Sequence, residues 1–278
     1  METTISNLGK PAFSREEMLE TIPEFLELYQ QRPITHNPGG MGLNHSWAVW
    51  FLVRKLQPDV VVESGVLRGH STWLINQAAP EAQIFCFDVS FKLLEYRAEG
   101  ATYFEGDVRQ FDWSAVNLSP SSLALLDDHQ NAYRRIIDLS FLGLKRFIVE
   151  DNYPVGEGDF YSLQHMQAGV GFTSQQMSAR TKATMKRSKL KKLAESDARL
   201  KEIGIDQARL VEPNTADWAN LSSRSQVIQT IPPIALDPIN RWGSAHEGRF
   251  ATPEPLGFSD IPAESDLKYN WITYVDLK

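Results

Sequence analysis

Two apolar runs in this chain climb into acids. Leu123-Ala124-Leu125-Leu126 ends on Asp127-Asp128-His129, and Phe147-Ile148-Val149 ends on Glu150-Asp151-Asn152. Carboxylates crowded together repel, so such a group either takes up protons or holds a cation. A hard divalent ion is the natural occupant of a mostly oxygen ligand set. A third run, Val60-Val61-Val62, passes through Glu63-Ser64-Gly65-Val66-Leu67-Arg68-Gly69-His70-Ser71, the shape of a strand turning through glycines into a helix, and a fourth, Ile84-Phe85-Cys86-Phe87, ends on Asp88.

Runs of this length and composition read as buried parallel strands. In an open parallel α/β sheet the carboxyl ends of the strands border the ligand crevice, so four strands discharging polar groups there describe one site. That is the layout of an enzyme or a nucleotide-type binder.

The elements that must position the site follow from the rest of the chain. Residues 14 to 30 have an N-cap serine, early acids and helical apolar spacing. Residues 37 to 42 are glycine-rich loop, and 45 to 56 read as a helix whose Trp47, Trp50 and Leu52 pack on the sheet. Strands and helices then alternate: strand 60 to 63, helix 70 to 79, strand 84 to 88, helix about 91 to 98, strand 102 to 105, strand 123 to 127, helix 131 to 142 and strand 146 to 150. Alternation of this kind calls for a doubly wound sheet with right-handed crossovers. After Pro154 the pattern lapses: 174 to 203 are polar and helix-prone, 212 to 262 are rich in proline and turn residues, and Tyr269 to Leu277 alternates like a last strand. The domain reading is an N-terminal helical cap over 1–57 and a catalytic domain over 58–278 with an insertion at about 155–262. Within it, 155 to 200 follow the fifth strand directly and read as a mobile cover over the crevice.

Bulk properties narrow the function classes. With 278 residues, 42% hydrophobic and 23% charged, the chain is long enough for one elaborated α/β domain. Its net charge of -7 argues against nucleic acid as a partner. Cys86, the one cysteine, excludes an internal disulfide and reads as a small buried hydrophobe. No stretch has the character of a signal peptide or a membrane span, so the expectation is a cytoplasmic protein without a membrane partner. The run from Arg180 to Lys192 holds seven cations and no acid; it reads as a solvated helix face that can also meet an acidic substrate or a second subunit of a homo-oligomer.

The glycine turn discriminates between cofactors. A dinucleotide fold wants G-x-G-x-x-G, and Leu67 and His70 stand where its second and third glycines belong. The pattern present, E-x-G-x-x-x-G then serine, resembles the first motif of class I S-adenosylmethionine-dependent methyltransferases. A nearer resemblance is to the metal-dependent O-methyltransferases of the catechol kind and to the methyltransferase-like group of cephamycin biosynthesis. Glu63-Ser64-Gly65 and Gly69-His70-Ser71 look like the catechol family's first motif, Asp127-Asp128-His129 like its L-D-H, and Asp151-Asn152 like its D-N; Glu150-Asp151 is similar to the E-D pair of the cephamycin group.

The resemblance implies a Rossmann-like methyltransferase sheet of parallel strands with an antiparallel C-terminal strand. It implies S-adenosylmethionine held by Glu63, Gly65, Gly69, Ser71, Asp88 (both ribose hydroxyls), Asp107 (adenine) and His129 (pocket wall). Asp128 and Asp151 become ligands of Mg2+ or a similar divalent cation, with Glu150 or Asn152 as the third, and Asp128 and His129 the catalytic pair. The implied reaction is methyl transfer to a hydroxyl of a small molecule, a natural product or sugar. Transfer without a metal, transfer to nitrogen, and a binding protein without chemistry are the alternatives. The last is kept open by Asn131, which stands where the catechol family has its lysine base. His45 reads either as an active-site residue or as a cap or surface residue, and Tyr153, Phe160, Tyr161 and His165 lie just past the fifth strand, where substrate would arrive, with core or loop packing the first reading for any one of them.

Overall fold

The computed structural model describes residues 7–155, 158–172, 211–236, 254–262, 265–268 and 271–278. Ser14 caps the first helix as its position predicts: its hydroxyl accepts from the Glu17 N–H while the Glu17 carboxylate accepts from the Ser14 N–H, opening α1 (Arg15–Tyr29). α2 (Leu43–Leu56) is buried without interruption from Leu43 to Val53, as a helix apolar on all sides must be.

Seven strands form one sheet in the order β3-β2-β1-β4-β5-β7-β6. They are β1 (Val60–Ser64), β2 (Gln83–Asp88), β3 (Thr102–Glu105), β4 (Leu123–Leu126), β5 (Arg146–Val149), β6 (Ser225–Thr230) and β7 (Thr273–Leu277). β1 to β5 pair in parallel; β7 runs antiparallel to both β5 and β6. This is the doubly wound, Rossmann-like sheet with an antiparallel C-terminal strand expected from the sequence. The remaining helices are α3 (His70–Ala78), α4 (Ala132–Ser140), α5 (Leu163–Ala168) and α6 (Ala216–Arg224).

Side chains alternate between the two faces of each strand. Val61, Cys86, Leu125 and Ile148 join α1, α2 and α3 on one face, while Val62, Phe85, Ala124 and Phe147 pack with α4 and α5 on the other. Each buried leucine or isoleucine in these layers contributes about 1.5 to 3 kcal/mol. α2 thus shares one core with the sheet, and the segment before α1 is knit to the sheet edge, where Leu8 pairs with Ile228 and the Gln229 carboxamide bonds the backbone of Ala12 and Phe13. β6 and α6 lie inside the segment read as an insertion, so that segment supplies a strand of the sheet.

The helix expected over about 91 to 98 is a single turn, Phe91–Leu93. The N–H groups of Glu95 and Tyr96 both donate to the Arg68 carbonyl at 3.0 Å, which draws the chain onto the turn before α3 instead of letting it wind. Within the span 155 to 200 only 155 and 158–172 are described, so the cover expected there, like the basic run 180 to 192, lies outside the described residues. Among the described residues no helix is long and apolar enough to cross a membrane.

Candidate functional site

The register brings three strand ends level. Ser64 pairs with Leu126 and Leu126 with Val149, and the ladder continues through Asp127 N–H to Ser64 O (2.8 Å) and Glu150 N–H to Leu126 O (3.1 Å). Gly65, Asp127 and Glu150 therefore leave the sheet side by side. Gly65 has φ +95°, and a Cβ on it would stand 2.2 Å from the Asp127 carbonyl, so only glycine lets the first turn lie this close to the acids of β4.

Two groups of side chains meet beyond these ends with their ligand atoms within 4.8 Å of one another: His45, Glu150 and Asp151, and Asp127, His129 and Asp151. His45 arrives from the first turn of α2, whose start is fixed by Leu43 N–H to Asp266 O (2.7 Å) and by the Asn44 carboxamide on Lys268 O and Ala235 O. Its Nδ1 contacts the Glu150 carboxylate directly, both side chains being buried. The Tyr153 hydroxyl donates to Asp151. His129 Nδ1 lies 2.8 Å from Asp159, and its Nε2 lies 3.8 Å from Asp151 and 3.9 Å from Asp127.

The charges are mutually perturbed. Burial and the neighbouring Glu150 push Asp127 well above the usual carboxylate range, and burial beside Asp151 does the same to Glu150. Burial also works to raise Asp151, but His129, His45, Glu150 and the Tyr153 hydroxyl outweigh it and hold Asp151 low. For His129 burial favours the neutral ring, and Asp159, Asp151 and Asp127 overcome that, so the imidazole keeps its proton well above its ordinary range. Protons thus collect on Asp127, Glu150 and His129. A divalent cation would compete for the same atoms, because ligands bind metal in their deprotonated forms. The donor set of carboxylates and imidazole fits such an ion.

Asp128 and Asn152, both expected among the ligands, are elsewhere. Asp128 accepts from Ser64 Oγ (2.7 Å) and Arg135 Nε (2.7 Å) through one oxygen. Arg135, buried on α4, also makes two bonds to Asp107, at 3.0 and 2.6 Å. A buried guanidinium needs carboxylate partners, and it takes these two. Asp127 stands beside His129 and Asp151 in place of Asp128. The Asn152 carboxamide is spent on holding neighbours together, donating to Thr273 Oγ1 (2.8 Å) and accepting from Gln164 N–H (3.1 Å).

Residues expected around the cofactor divide. Asp107 is bound by Arg135 and by Arg109, which hold its carboxyl well below the usual range against burial, so its carboxylate oxygens are engaged within the protein. Asp88 Oδ2 accepts from the N–H groups of Val66 (2.9 Å) and Leu67 (3.0 Å), so this oxygen shapes the turn, and Oδ1, which accepts from Ser90 N–H, keeps room for one hydroxyl donor. Leu67 itself lies at φ +52°, a strained backbone of the kind that gathers at ligand sites. Gly69 has φ +90°, and a Cβ there would meet the Tyr96 carbonyl at 2.3 Å; its glycine serves the packing of the chain onto this turn. Glu63 is buried with Oε2 accepting from Thr72 Oγ1 (2.6 Å) and Cys86 Sγ (3.2 Å), while Oε1 is buried without a hydrogen bond. Burial pushes its carboxyl up to about 7, against Ser71, Thr72 and Cys86. The unpaired Oε1 of Glu63 at the end of β1 and the remaining capacity of Asp88 Oδ1 beside the turn fit a cofactor bearing an ammonium and a ribose.

No family model matches the chain, and no curated protein matches it. Among solved structures it is similar to CmcI with SAH (18% identity over 45% of this chain and 75% of that one, TM-score 0.32). A CmcI structure with Mg and SAM gives 21% identity over 45% of this chain and 65% of that one, TM-score 0.32. An O-methyltransferase from Bacillus cereus in complex with SAH gives 9% identity over 96% of this chain and 93% of that one, TM-score 0.42.

Asp159, Arg135 and the pairing of His45 with Glu150 had no signal in the sequence, since each joins residues that only the fold brings together. Tyr153 touches Asp151 at the site, whereas Tyr161 and His165 are core: His165 is buried against Ser162 and Phe172 and its imidazole is pushed down to about 4 by burial. His70, expected to start a helix, does so, and its buried Nε2 meets Ser46 Oγ at 2.8 Å. A surface groove lined by Ser140, Lys145, Arg224 and Lys278 lies beyond the opposite end of β5 and is remote from this chemistry.

Proposed function

We propose that this chain is an S-adenosylmethionine-dependent methyltransferase that moves a methyl group to a hydroxyl of a small molecule with the help of a divalent cation. The observation that carries the proposal is the cluster of Asp127, His129, Glu150 and Asp151 at the carboxyl ends of β4 and β5, beside the glycine turn of β1, in a sheet whose last strand is antiparallel. When bound, S-adenosylmethionine supplies a methyl group already activated by the sulfonium charge. A divalent cation, when bound, lowers the pKa of an acceptor hydroxyl and aims its oxygen.

The chain's own residues do the rest. The turn from Gly65 to Gly69 and Asp88 orient the cofactor, Asp127, His129 and Asp151 hold the cation, and Tyr153 and Phe160 form an aromatic wall at 5.5 Å centroid separation beside His129. Much of the barrier in an in-line displacement is removed by such orientation.

One contact favours a second reading, transfer without a metal. The contact of the Glu150 carboxyl with His45 Nδ1 fixes the orientation of that imidazole, as the partner of a general base does. Calorimetry with S-adenosylmethionine and a nicotinamide dinucleotide tests the cofactor assignment. The proposal expects micromolar-class affinity for the first and none for the second; the reverse pattern refutes it.

A further inference from the structure

At the end of β4 the backbone of His129 enters the left-handed region, φ +53°, which a residue with a Cβ seldom adopts. The turn brings the imidazole back over the strand ends. Its Nδ1 is then 2.8 Å from Asp159, and its Nε2 is within 3.9 Å of Asp127 and 3.8 Å of Asp151. A carboxylate on one ring nitrogen, with the other nitrogen presented to a pair of acids, is the arrangement by which proteins orient an imidazole toward a metal ion.

We propose that Asp127, His129 Nε2 and Asp151 form a nitrogen-bearing cation site that selects a first-row transition ion such as Mn2+, Co2+ or Zn2+ over Mg2+, with Asp159 as the positioning residue of His129. The inference rests on the metal-dependent reading above and names its ion. It departs from the oxygen-only ligand set that the sequence motifs imply.

The chemistry is that of ligand softness. Mg2+ demands near-ideal octahedral oxygen and keeps much of its water, whereas imidazole suits Mn2+ to Zn2+ and strengthens binding along that series. Asp128 is turned away from this group, its Oδ2 bonded by Arg135 and Ser64 and its Oδ1 by the Gln130 N–H. Glu150 is in direct contact with His45, so recruiting it as a ligand means opening that pair. Two carboxylates and one imidazole leave coordination positions open for an acceptor oxygen, as a facial triad does.

The test uses the full chain stripped with a chelator. Co2+ and Mg2+ are titrated in competition by calorimetry, and pulsed electron paramagnetic resonance of the Mn2+-loaded chain looks for a directly bound nitrogen. Co2+ should bind about a hundredfold or more tightly than Mg2+. The nitrogen coupling should be present in the wild type and lost in His129→Ala. Asp159→Asn should weaken Co2+ by about ten- to hundredfold while the coupling persists, since a residue that orients a ligand tunes affinity without being one. Equal affinity for Co2+ and Mg2+, or a wild-type spectrum without nitrogen, overturns the proposal; where His129→Ala fails to fold, His45→Ala decides, since the coupling should survive it and its loss there overturns the proposal. SAH binding, measured on the same sample, separates the two claims. SAH bound with no nitrogen coupling sinks the ion site alone; nitrogen coupling with no SAH bound sinks the methyltransferase reading alone.

Discussion

Replacing Glu63 by glutamine should remove a pH-dependent cost that the wild-type chain carries at neutrality. Glu63 is fully buried at the end of β1, and burial carries its carboxyl from an ordinary 4.5 up to about 7. At 1.36 kcal/mol for each tenfold change, that rise is worth about 3 kcal/mol. The sign follows from proton linkage. Below about pH 4.5 both folded and unfolded chains hold the proton and nothing is lost. Between 4.5 and 7 the unfolded chain releases the proton while the folded chain retains it, so stability falls as pH rises; above 7 the loss is complete and constant. Glutamine keeps the shape and the acceptor for Thr72, and its amide puts a donor where Oε1 is orphaned. Urea denaturation of both proteins at intervals from pH 4.5 to 8 reads the difference, and other titrating groups cancel in the comparison. The gap should widen in favour of Glu63→Gln by about 3 kcal/mol across that window and then level off. A gap that does not vary with pH, or that narrows, refutes the assignment of a raised carboxyl at this position.

Two further outcomes follow from the ion network behind the site. Arg135→Met leaves the half-buried Asp128 without its cation and the buried Asp107 with Arg109 alone, and should cost about 3 to 5 kcal/mol in chemical denaturation; a cost below about 1 kcal/mol would mean that the network does not tie these elements together. Because Arg135 and Arg109 hold Asp107 low, the stability they contribute is present above pH 3.8 and lost as pH falls further, so Arg135→Met should also flatten the acid limb of the stability curve. Asp127→Asn should weaken divalent-cation binding by more than about tenfold, as losing one charged ligand does, and Asp128→Asn should leave cation binding nearly unchanged while lowering stability. The opposite ranking in a calorimetric titration would return the ligand role to Asp128.

The sheet was legible because its strands are short apolar runs closed by acids, a pattern that depends only on burial. The ends of β1, β4 and β5 come level where the alternation places them, and Ser14 with Glu17 announces α1 in four residues. β6 was hidden because Ser225–Thr230 mixes polar and apolar residues inside a stretch rich in proline and turn formers, and its pairing with β7 spans a long separation. The helix over 91 to 98 failed for a tertiary reason, the Arg68 carbonyl taking two N–H groups that a helix would have used. At the site the sequence identified which residues are chemical but not which way they face. Asp127 and Asp128 are indistinguishable until Arg135 is placed on α4, and the sequence gives no sign that His45 meets Glu150 from a helix about 100 residues earlier.

Methyl transfer by this chain is tested with labelled S-adenosylmethionine and a panel of hydroxylated small molecules, run on the full chain before chelation, after exhaustive chelation, and after divalent cation is restored. Label should appear in an ether product, be lost on chelation, and return with the cation. Transfer that persists undiminished after chelation contradicts the role given to Asp127, His129 and Asp151, and cofactor bound without transfer to any acceptor in the presence of cation contradicts the enzyme itself.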